Sequence, residues 1–185
     1  MINQVLAEAD EKMGKSVEAT REEFATIRAG RANPAMFAKL TAVYYGTPTP
    51  LQQLASFTSQ DARTIIVTPF DMGALGDVER AIRDSDLGVN PSNDGKSIRC
   101  VFPELTEERR KEYTKLAKAK AEDGRVSVRN VRRTAKQALE KLEKDGEVGK
   151  DDVTGAEKKL DATTKKHTDA IDEMLKAKEA ELLEV

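Results

Sequence analysis

The sequence lacks the residues on which several classes of protein depend. It has no tryptophan and a single cysteine, Cys100, so no disulfide can form within the chain. No apolar run approaches the roughly 20 residues that span a bilayer. The first turns carry Glu8, Asp10 and Glu11, unlike a signal or transit peptide. A disulfide scaffold and a membrane protein are excluded, and the cytoplasm is the expected location.

Bulky apolar residues are also scarce, since Leu, Ile, Val and Phe account for 39 of the 185 positions. That fraction is close to what disordered chains contain, but disorder also requires a large net charge. Here 31 basic residues nearly balance 33 acidic ones, which gives a formal net charge of −2. A lean core surrounded by charges of both signs indicates long amphipathic helices.

Proline is confined to the middle of the chain. All six prolines and six of the eight aromatic residues lie between positions 34 and 103. Because proline costs a helix interior about 3 kcal/mol, its absence from the flanks permits long unbroken helices. The distribution predicts an α+β protein, in which residues 1–30 and 105–185 form a discontinuous three-helix bundle. Residues 31–104 form an inserted module.

The flanks have the apolar spacing of three helices. The first begins at Ile2 and runs for about seven turns, with Gly30 as its stop. The second follows Thr106, a typical N-cap residue, and ends at the glycine-containing segment 145–149. The third begins near Asp151. Each helix has one apolar stripe and must bury it against the other two helices. Because the segment that joins the second helix to the third is short, these two helices are expected to be antiparallel neighbours.

The module has the pattern of a small sheet with a covering helix. Alternation and β-branched residues predict strands at 40–45, 64–68 and 97–102, and 77–83 reads as a short helix. The strand order stays open. Because the module is inserted, the chain crosses between domains twice, and two adjacent crossings can act as a hinge. The predicted hinge residues are Gly30, Arg31, Ala32, Pro103, Glu104 and Leu105. A rigid two-domain block is the alternative.

The small net charge hides a strong polarity. Residues 109–136 hold eleven bases and three acids, a net charge of +8, whereas residues 146–185 carry −4. At about 100° per residue, eight of these bases fall within about 100° of arc beside the buried stripe. We call them the basic ridge: Lys111, Lys115, Lys118, Arg125, Arg129, Arg132, Arg133 and Lys136. Arg110 projects nearer to the core.

Arginine dominates the central part of the ridge, from 125 to 133. Its planar guanidinium binds phosphate in a fork and stacks on bases, so the pattern suits an RNA backbone. The alternative is that the ridge is solvated or pairs with the acidic third helix, and spacing alone weighs the two about evenly. The residues assigned to RNA binding are Arg110, Lys118, Arg125, Arg129, Arg132 and Arg133.

The sequence offers little for catalysis. Its one histidine, His167, lies on the apolar stripe of the third helix, where a satisfied core histidine is the usual outcome. Cys100 lies in a β-branched run and is expected to fill core space. Phosphate-binding glycine loops and metal-ligand spacings are missing. We therefore expect no enzyme, no cofactor and no metal.

Five segments in order resemble the ribosome recycling factor family over essentially the whole chain. They are Arg28–Pro34, Tyr44–Leu51, Ser85–Pro91, Leu105–Arg110 and Val128–Arg133. The resemblance implies an L-shaped pair of domains, a three-helix bundle and a hinged β/α/β module. It also implies that the protein binds the post-termination ribosome and, with elongation factor G and GTP, separates the subunits.

For the site, the resemblance implies that Arg129, Arg132 and Arg133, with Arg110 nearby, contact large-subunit ribosomal RNA. It implies that elongation factor G acts on the module, and a monomer is expected. Two other classes stay open: a helical adaptor or chaperone that binds proteins, and a general RNA-binding protein without recycling activity. The adaptor would expose an apolar patch, and the RNA-binding protein would bind free RNA helices.

Overall fold

The computed structural model describes residues 1–184. Besides two short 3-10 helices, Pro34–Phe37 and Met72–Ala74, this range consists of five α-helices and six strands. In chain order they are α1 (Ile2–Ala25), β1 (Thr41–Tyr44), β2 (Thr47–Pro50), α2 (Leu51–Leu54), β3 (Ala55–Asp61), β4 (Thr64–Pro69), α3 (Leu75–Arg83), β5 (Asn90–Asn93), β6 (Ile98–Val101), α4 (Glu107–Lys144) and α5 (Lys150–Leu183). Three long helices and a small mixed region between the first two of them confirm the predicted α+β class.

The chain divides into two compact units. The first comprises residues 1–24 and 115–179, and the second comprises residues 25–114 and 180–184. The domain boundaries at residues 30 and 105 stay a prediction. Within residues 1–184, every helix is too short or too polar to cross a membrane.

The first unit is a bundle of α1, α4 and α5. The three helices meet at Gly124 of α4, which lies between Thr20 of α1 and Ile171 of α5. A Cβ placed at Gly124 would overlap the Thr20 hydroxyl oxygen and come within 3.1 Å of Ile171 Cδ1. Each helix buries a single stripe here, because a narrow apolar face is all that the highly charged sequence supplies.

The ends of the helices follow local chemistry, with one exception. The Thr106 hydroxyl caps α4 by accepting the backbone N–H of Arg109 at 3.1 Å. Gly146, with φ +72°, closes the other end of α4 in the left-handed conformation. Gly30 was expected to stop α1, but that prediction is wrong, since α1 ends at Ala25. The apolar spacing continues to the buried Ile27 because that side chain still packs after the helix has ended.

The module lies within the second unit and contains two antiparallel sheets. One is the hairpin β1-β2 and the other has the strand order β3-β4-β6-β5. The strands predicted from the sequence correspond to β1, β4 and β6, and the helix to α3. Strands β2, β3 and β5 were not predicted, and all three lie at sheet edges, where proline and polar residues are tolerated.

The core of the module is built on aromatic rings. Phe37 and Phe102 are completely buried, with ring centroids 6.1 Å apart, and Phe37 also stacks on Phe57 at 5.2 Å. Cys100 is buried in the same core, and burial raises the pKa of its thiol to about 12. The thiol is therefore a small apolar filler, in agreement with its β-branched setting.

Candidate nucleic-acid interface

The basic ridge lies along one flank of α4. Lys118, Arg129 and Arg133 are exposed, whereas Arg125 and Arg132 are half-buried. Because α4 is one continuous helix of 38 residues, its backbone holds these side chains at fixed intervals along a rigid element. A row of basic side chains at fixed intervals along a rigid helix suits the recognition of an extended anion.

Arg125 is tied into the bundle. Its Nη1 donates to Asp172 Oδ1 of α5 at 2.7 Å, and its Nε donates to Glu122 Oε2 at 3.0 Å. The side chain is only 19% exposed. Charge-assisted bonds to two carboxylates from a partly buried position make Arg125 a bridge between α4 and α5.

Two further ridge arginines have carboxylate partners. Arg132 Nε donates to Asp161 Oδ1 of α5 at 2.8 Å, and Arg129 Nη1 lies 3.3 Å from Glu122 Oε1. Hydrogen bonds from Arg125 and Arg129 hold the pKa of Glu122 below its usual range. Pairing with the acidic third helix, the alternative left open by the sequence, therefore occurs at Arg125 and Arg132.

Pairing does not neutralise the ridge. Carboxylates contact four of its eight bases: Lys111, Arg125, Arg129 and Arg132. Among residues 1–184, the other four bases (Lys115, Lys118, Arg133 and Lys136) have no carboxylate within 4.0 Å. Arg133 donates instead to the neutral amide oxygen of Asn130 at 3.2 Å. The ridge therefore retains positive charge toward solvent.

Glu122 is a residue whose role the sequence reasoning missed. At 100° per residue it falls inside the arc of the ridge, so the ridge contains one acidic position. It contacts Arg125 and Arg129 at once. The same angular spacing that defined the ridge could have shown this interruption.

Arg110 does not belong to the row of the ridge. It is half-buried in the second unit, and its Nε is shielded from solvent without a hydrogen-bond partner. The expectation that Arg110 projects toward the core agrees with this position. Its predicted contact with RNA stays a prediction.

The predicted hinge residues lie in two connecting segments. Gly30, Arg31 and Ala32 follow α1, and Pro103, Glu104 and Leu105 lie between β6 and α4. The backbone N–H of Ala32 donates to the carbonyl oxygen of Ala62 at 2.8 Å, which anchors one segment to the β3-β4 turn.

Arg28 joins the two connecting segments. It is 5% exposed, donates to the carbonyl oxygen of Pro103, and lies over the ring of Phe102 at 5.5 Å from the centroid. This structural role of Arg28 was not predicted from the sequence. Its place four residues after Phe24, on the buried stripe, was the available indication.

The comparisons with known proteins agree with one another. The model of the ribosome recycling factor family matches residues 20–183. The ribosome-recycling factor of Nocardioides sp. (strain ATCC BAA-499 / JS614) is 74% identical over 185 residues, covering 100% of both chains. The ribosome-recycling factor of Kocuria rhizophila is 64% identical over 183 residues, covering 99% of both.

Solved structures show the same relationship. A solution structure of ribosome recycling factor is 36% identical, with a TM-score of 0.77, and the match covers 100% of this chain and 98% of that one. A second match, with 41% identity and a TM-score of 0.68, covers 100% of both chains. It comes from models of the T. thermophilus ribosome recycling factor and E. coli elongation factor G bound to the E. coli post-termination complex. The resemblance found in the sequence is confirmed: this chain belongs to the ribosome recycling factor family.

Proposed function

We propose that this protein binds the post-termination ribosome through the basic ridge of α4 and, with elongation factor G and GTP, separates it into subunits. Membership of the family, shown by a model that matches residues 20–183 and by a relative aligned over the full chain, supports this function. A relative described in complex with the post-termination ribosome and elongation factor G supports it as well. The observation that supports the binding step is that four ridge bases, Lys115, Lys118, Arg133 and Lys136, have no carboxylate within 4.0 Å among residues 1–184. The protein acts as a monomer in the cytoplasm, without a catalytic group or cofactor of its own.

The ridge binds RNA phosphates in two ways. Lys118 and Arg133 have no carboxylate to give up, so they contact phosphate directly. Arg129 exchanges its carboxylate for a phosphate oxygen, which is feasible because exposed ion pairs contribute only about 0–1 kcal/mol. Arg132, which is half-buried and has one carboxylate partner, makes the same exchange less readily. Arg125 is the least available, since it is half-buried and holds two carboxylates. Arg110 would reach RNA from the second unit.

The two segments that flank the module provide the hinge. We place the pivot at residues 30–32 and 103–105, with the bundle built from 1–30 and 105–185 and the module from 31–104. Arg28 holds the two segments together at Pro103 and Phe102, so they move as a pair rather than independently. Force applied to the module would then reach the bundle through one joint.

Replacing Arg133 by alanine tests the binding step. Reversing Arg132 would place a glutamate beside Asp161 and disturb the bundle, whereas Arg133 has no carboxylate partner among the described residues. We expect about tenfold weaker cosedimentation with vacant 70S ribosomes, the effect of one lost charge-assisted bond of about 1.5 kcal/mol. The slope of log affinity against log salt should decrease by about 1.

Arg21→Ala is the matched control, because it removes an exposed, ion-paired arginine from α1. It should leave ribosome binding unchanged. Equal binding and equal salt slopes for Arg133→Ala and the parent protein would refute the ridge as the ribosome-binding surface. Failure of the parent protein to split 70S ribosomes with elongation factor G and GTP would refute the proposed function itself.

A further inference from the structure

The three ridge arginines that have carboxylate partners use different nitrogen atoms to bind them. Arg125 donates through both Nε and Nη1, and Arg129 donates through Nη1. Arg132 donates through Nε alone, to Asp161 Oδ1 of α5 at 2.8 Å. Among residues 1–184, Arg132 is therefore the only one of the three whose two terminal nitrogens, Nη1 and Nη2, form no hydrogen bond.

The free end of Arg132 is the end that suits phosphate. A guanidinium presents five N–H donors in a planar fork, and its two terminal nitrogens can donate to two phosphate oxygens at once. Because the bond to Asp161 uses Nε, a phosphate can bind across Nη1 and Nη2 while that bond stays in place. The side chain of Arg132 is 37% exposed, so this end is within reach of a ligand. Arg132 thus has a route to phosphate that needs no exchange of its carboxylate.

The carboxylate of Asp161 binds across the helix interface rather than along its own helix. Lys158 and Lys165 lie three residues before it and four after it, at spacings that form ion pairs on a helix surface. Lys165 pairs instead with Asp169 at 2.6 Å, and among residues 1–184 the carboxylate of Asp161 forms an ion pair only with Arg132. The backbone of α5, a continuous helix of 34 residues, therefore anchors Nε of a side chain that would otherwise rotate.

Holding Arg132 before RNA arrives lowers the cost of binding. A long side chain that is already ordered loses less conformational entropy when it binds. The opposing effect is electrostatic, because the negative charge of Asp161 repels a phosphate at Arg132. Removing Asp161 therefore weakens RNA binding if ordering dominates and tightens it if repulsion dominates. The Asp161 side chain is 58% exposed, so water and salt screen the repulsion, which favours ordering as the larger effect.

We propose that Asp161 is a positioning residue for RNA binding: it holds the Arg132 guanidinium through Nε and so presents Nη1 and Nη2 to one phosphate of ribosomal RNA. This inference rests on the proposed function, in which the basic ridge binds the post-termination ribosome. Asp161 itself does not contact RNA and acts through Arg132. A carboxylate of the acidic helix α5 thereby contributes to RNA binding instead of only competing with RNA for the ridge.

Two variants of Asp161 test the proposal. Asp161→Ala removes the hydrogen bond, whereas Asp161→Asn removes the charge but keeps an acceptor oxygen. We expect Asp161→Ala to bind vacant 70S ribosomes about fivefold more weakly in cosedimentation, the effect of one side chain that must be ordered on binding. Asp161→Asn should bind within about twofold of the parent protein, because it can still hold Nε. Far-ultraviolet circular dichroism should show both variants folded, since position 161 is exposed.

A second background tests whether Asp161 acts through Arg132. Arg132→Lys keeps the positive charge but has neither Nε nor a fork to orient. In this background, Asp161→Ala should not weaken ribosome binding further. The matched control is Asp172→Ala, which removes another carboxylate of α5, the partner of Arg125. Because Arg125 stays bound to Glu122, this control should bind ribosomes at least as tightly as the parent protein.

Ribosome binding by Asp161→Ala that equals or exceeds that of the parent protein would overturn the proposal. An equal loss in Asp161→Asn would also overturn it, as would the same loss in the Arg132→Lys background or in Asp172→Ala. The effect would then not arise from the hydrogen bond to Arg132. In each of these cases the parent protein still binds and splits ribosomes, so the proposed function stands. If the parent protein itself does not bind ribosomes, the proposed function fails.

Discussion

Gly124 is the position at which the bundle should be most sensitive to a single added methyl group. It lies in the interior of α4, where a glycine normally costs about 1 kcal/mol relative to alanine. The glycine is retained at the three-helix crossing, because a Cβ there would overlap the hydroxyl oxygen of Thr20 and crowd Ile171. We therefore predict that Gly124→Ala destabilises the protein, although alanine has the higher helix propensity of the two residues.

The magnitude follows from three contributions. The Thr20 hydroxyl must turn away and give up its 2.9 Å bond to the carbonyl oxygen of Ser16, a loss of about 0.5–1.5 kcal/mol. Displacing Ile171, whose Cδ1 would lie 3.1 Å from the new Cβ, costs about 1–3 kcal/mol. The higher helix propensity of alanine returns about 1 kcal/mol. The net loss of unfolding free energy is about 2 kcal/mol, a decrease of about 4–8 °C in Tm.

Thermal and urea unfolding followed by far-ultraviolet circular dichroism measure this loss. Gly155→Ala is the matched control in α5, because a Cβ there would meet no atom within 4 Å and should stabilise by about 1 kcal/mol. Removing the Thr20 side chain should relieve the overlap, so Gly124→Ala should cost less in a Thr20→Ala background than in the parent. A Gly124→Ala protein as stable as the parent would show that the crossing is looser than described.

Other predictions concern groups outside the binding surfaces. His167 Nε2 lies 2.7 Å from Asp10 Oδ1, and this hydrogen bond holds the pKa of Asp10 below its ordinary 3.8. The folded protein therefore gains the full stabilisation from ionised Asp10 above pH 3.8, and loses it as the pH falls through the lowered pKa. Asp10→Asn should therefore reduce stability at pH 7 by up to about 1 kcal/mol, and denaturant titrations should show this difference shrinking as the pH falls below 3.8. Because Cys100 is buried and the pKa of its thiol is raised to about 12, a thiol reagent should modify it only after the protein unfolds. Rapid modification of Cys100 in the folded protein would contradict its position in the core. Arg28→Met, which keeps length but loses the bond to Pro103, should increase hydrogen exchange at the neighbouring Phe102 amide, which donates to the carbonyl oxygen of Arg63 at 2.7 Å. Unchanged protection of that amide would argue against Arg28 as the link between the segments.

The basic ridge shows what the spacing of charged residues can predict and what it cannot. Spacing alone placed the eight bases on one flank of α4, since helical geometry fixes the angle between residues. It could not say which bases are neutralised, because that depends on which residues of α5 lie opposite. The antiparallel register brings Asp172 to Arg125 and Asp161 to Arg132, and it leaves Arg133 with only an amide.

Much of the module could not be predicted from sequence patterns. Strands β4 and β6 were evident because β-branched residues are concentrated in them, but β2 and β5 contain proline and are held by pairing rather than by propensity. The exposure of the two adjacent tyrosines was equally hidden. Spacing does not say which of Tyr44 and Tyr45 faces solvent, whereas the structure leaves Tyr45 85% exposed and bonds the Tyr44 hydroxyl to Asp71 Oδ2.

Local regularities in the sequence determined the three helices, the cap at Thr106, the inserted module and the family of the protein. Each of these depends on interactions within a few residues or on a run of matching motifs. Tertiary structure decided which ridge arginines are free, how Gly124 permits the helix crossing, and where the module presents its aromatic rings. These depend on atoms far apart in the chain, whose separation is set only when the helices and strands pack together.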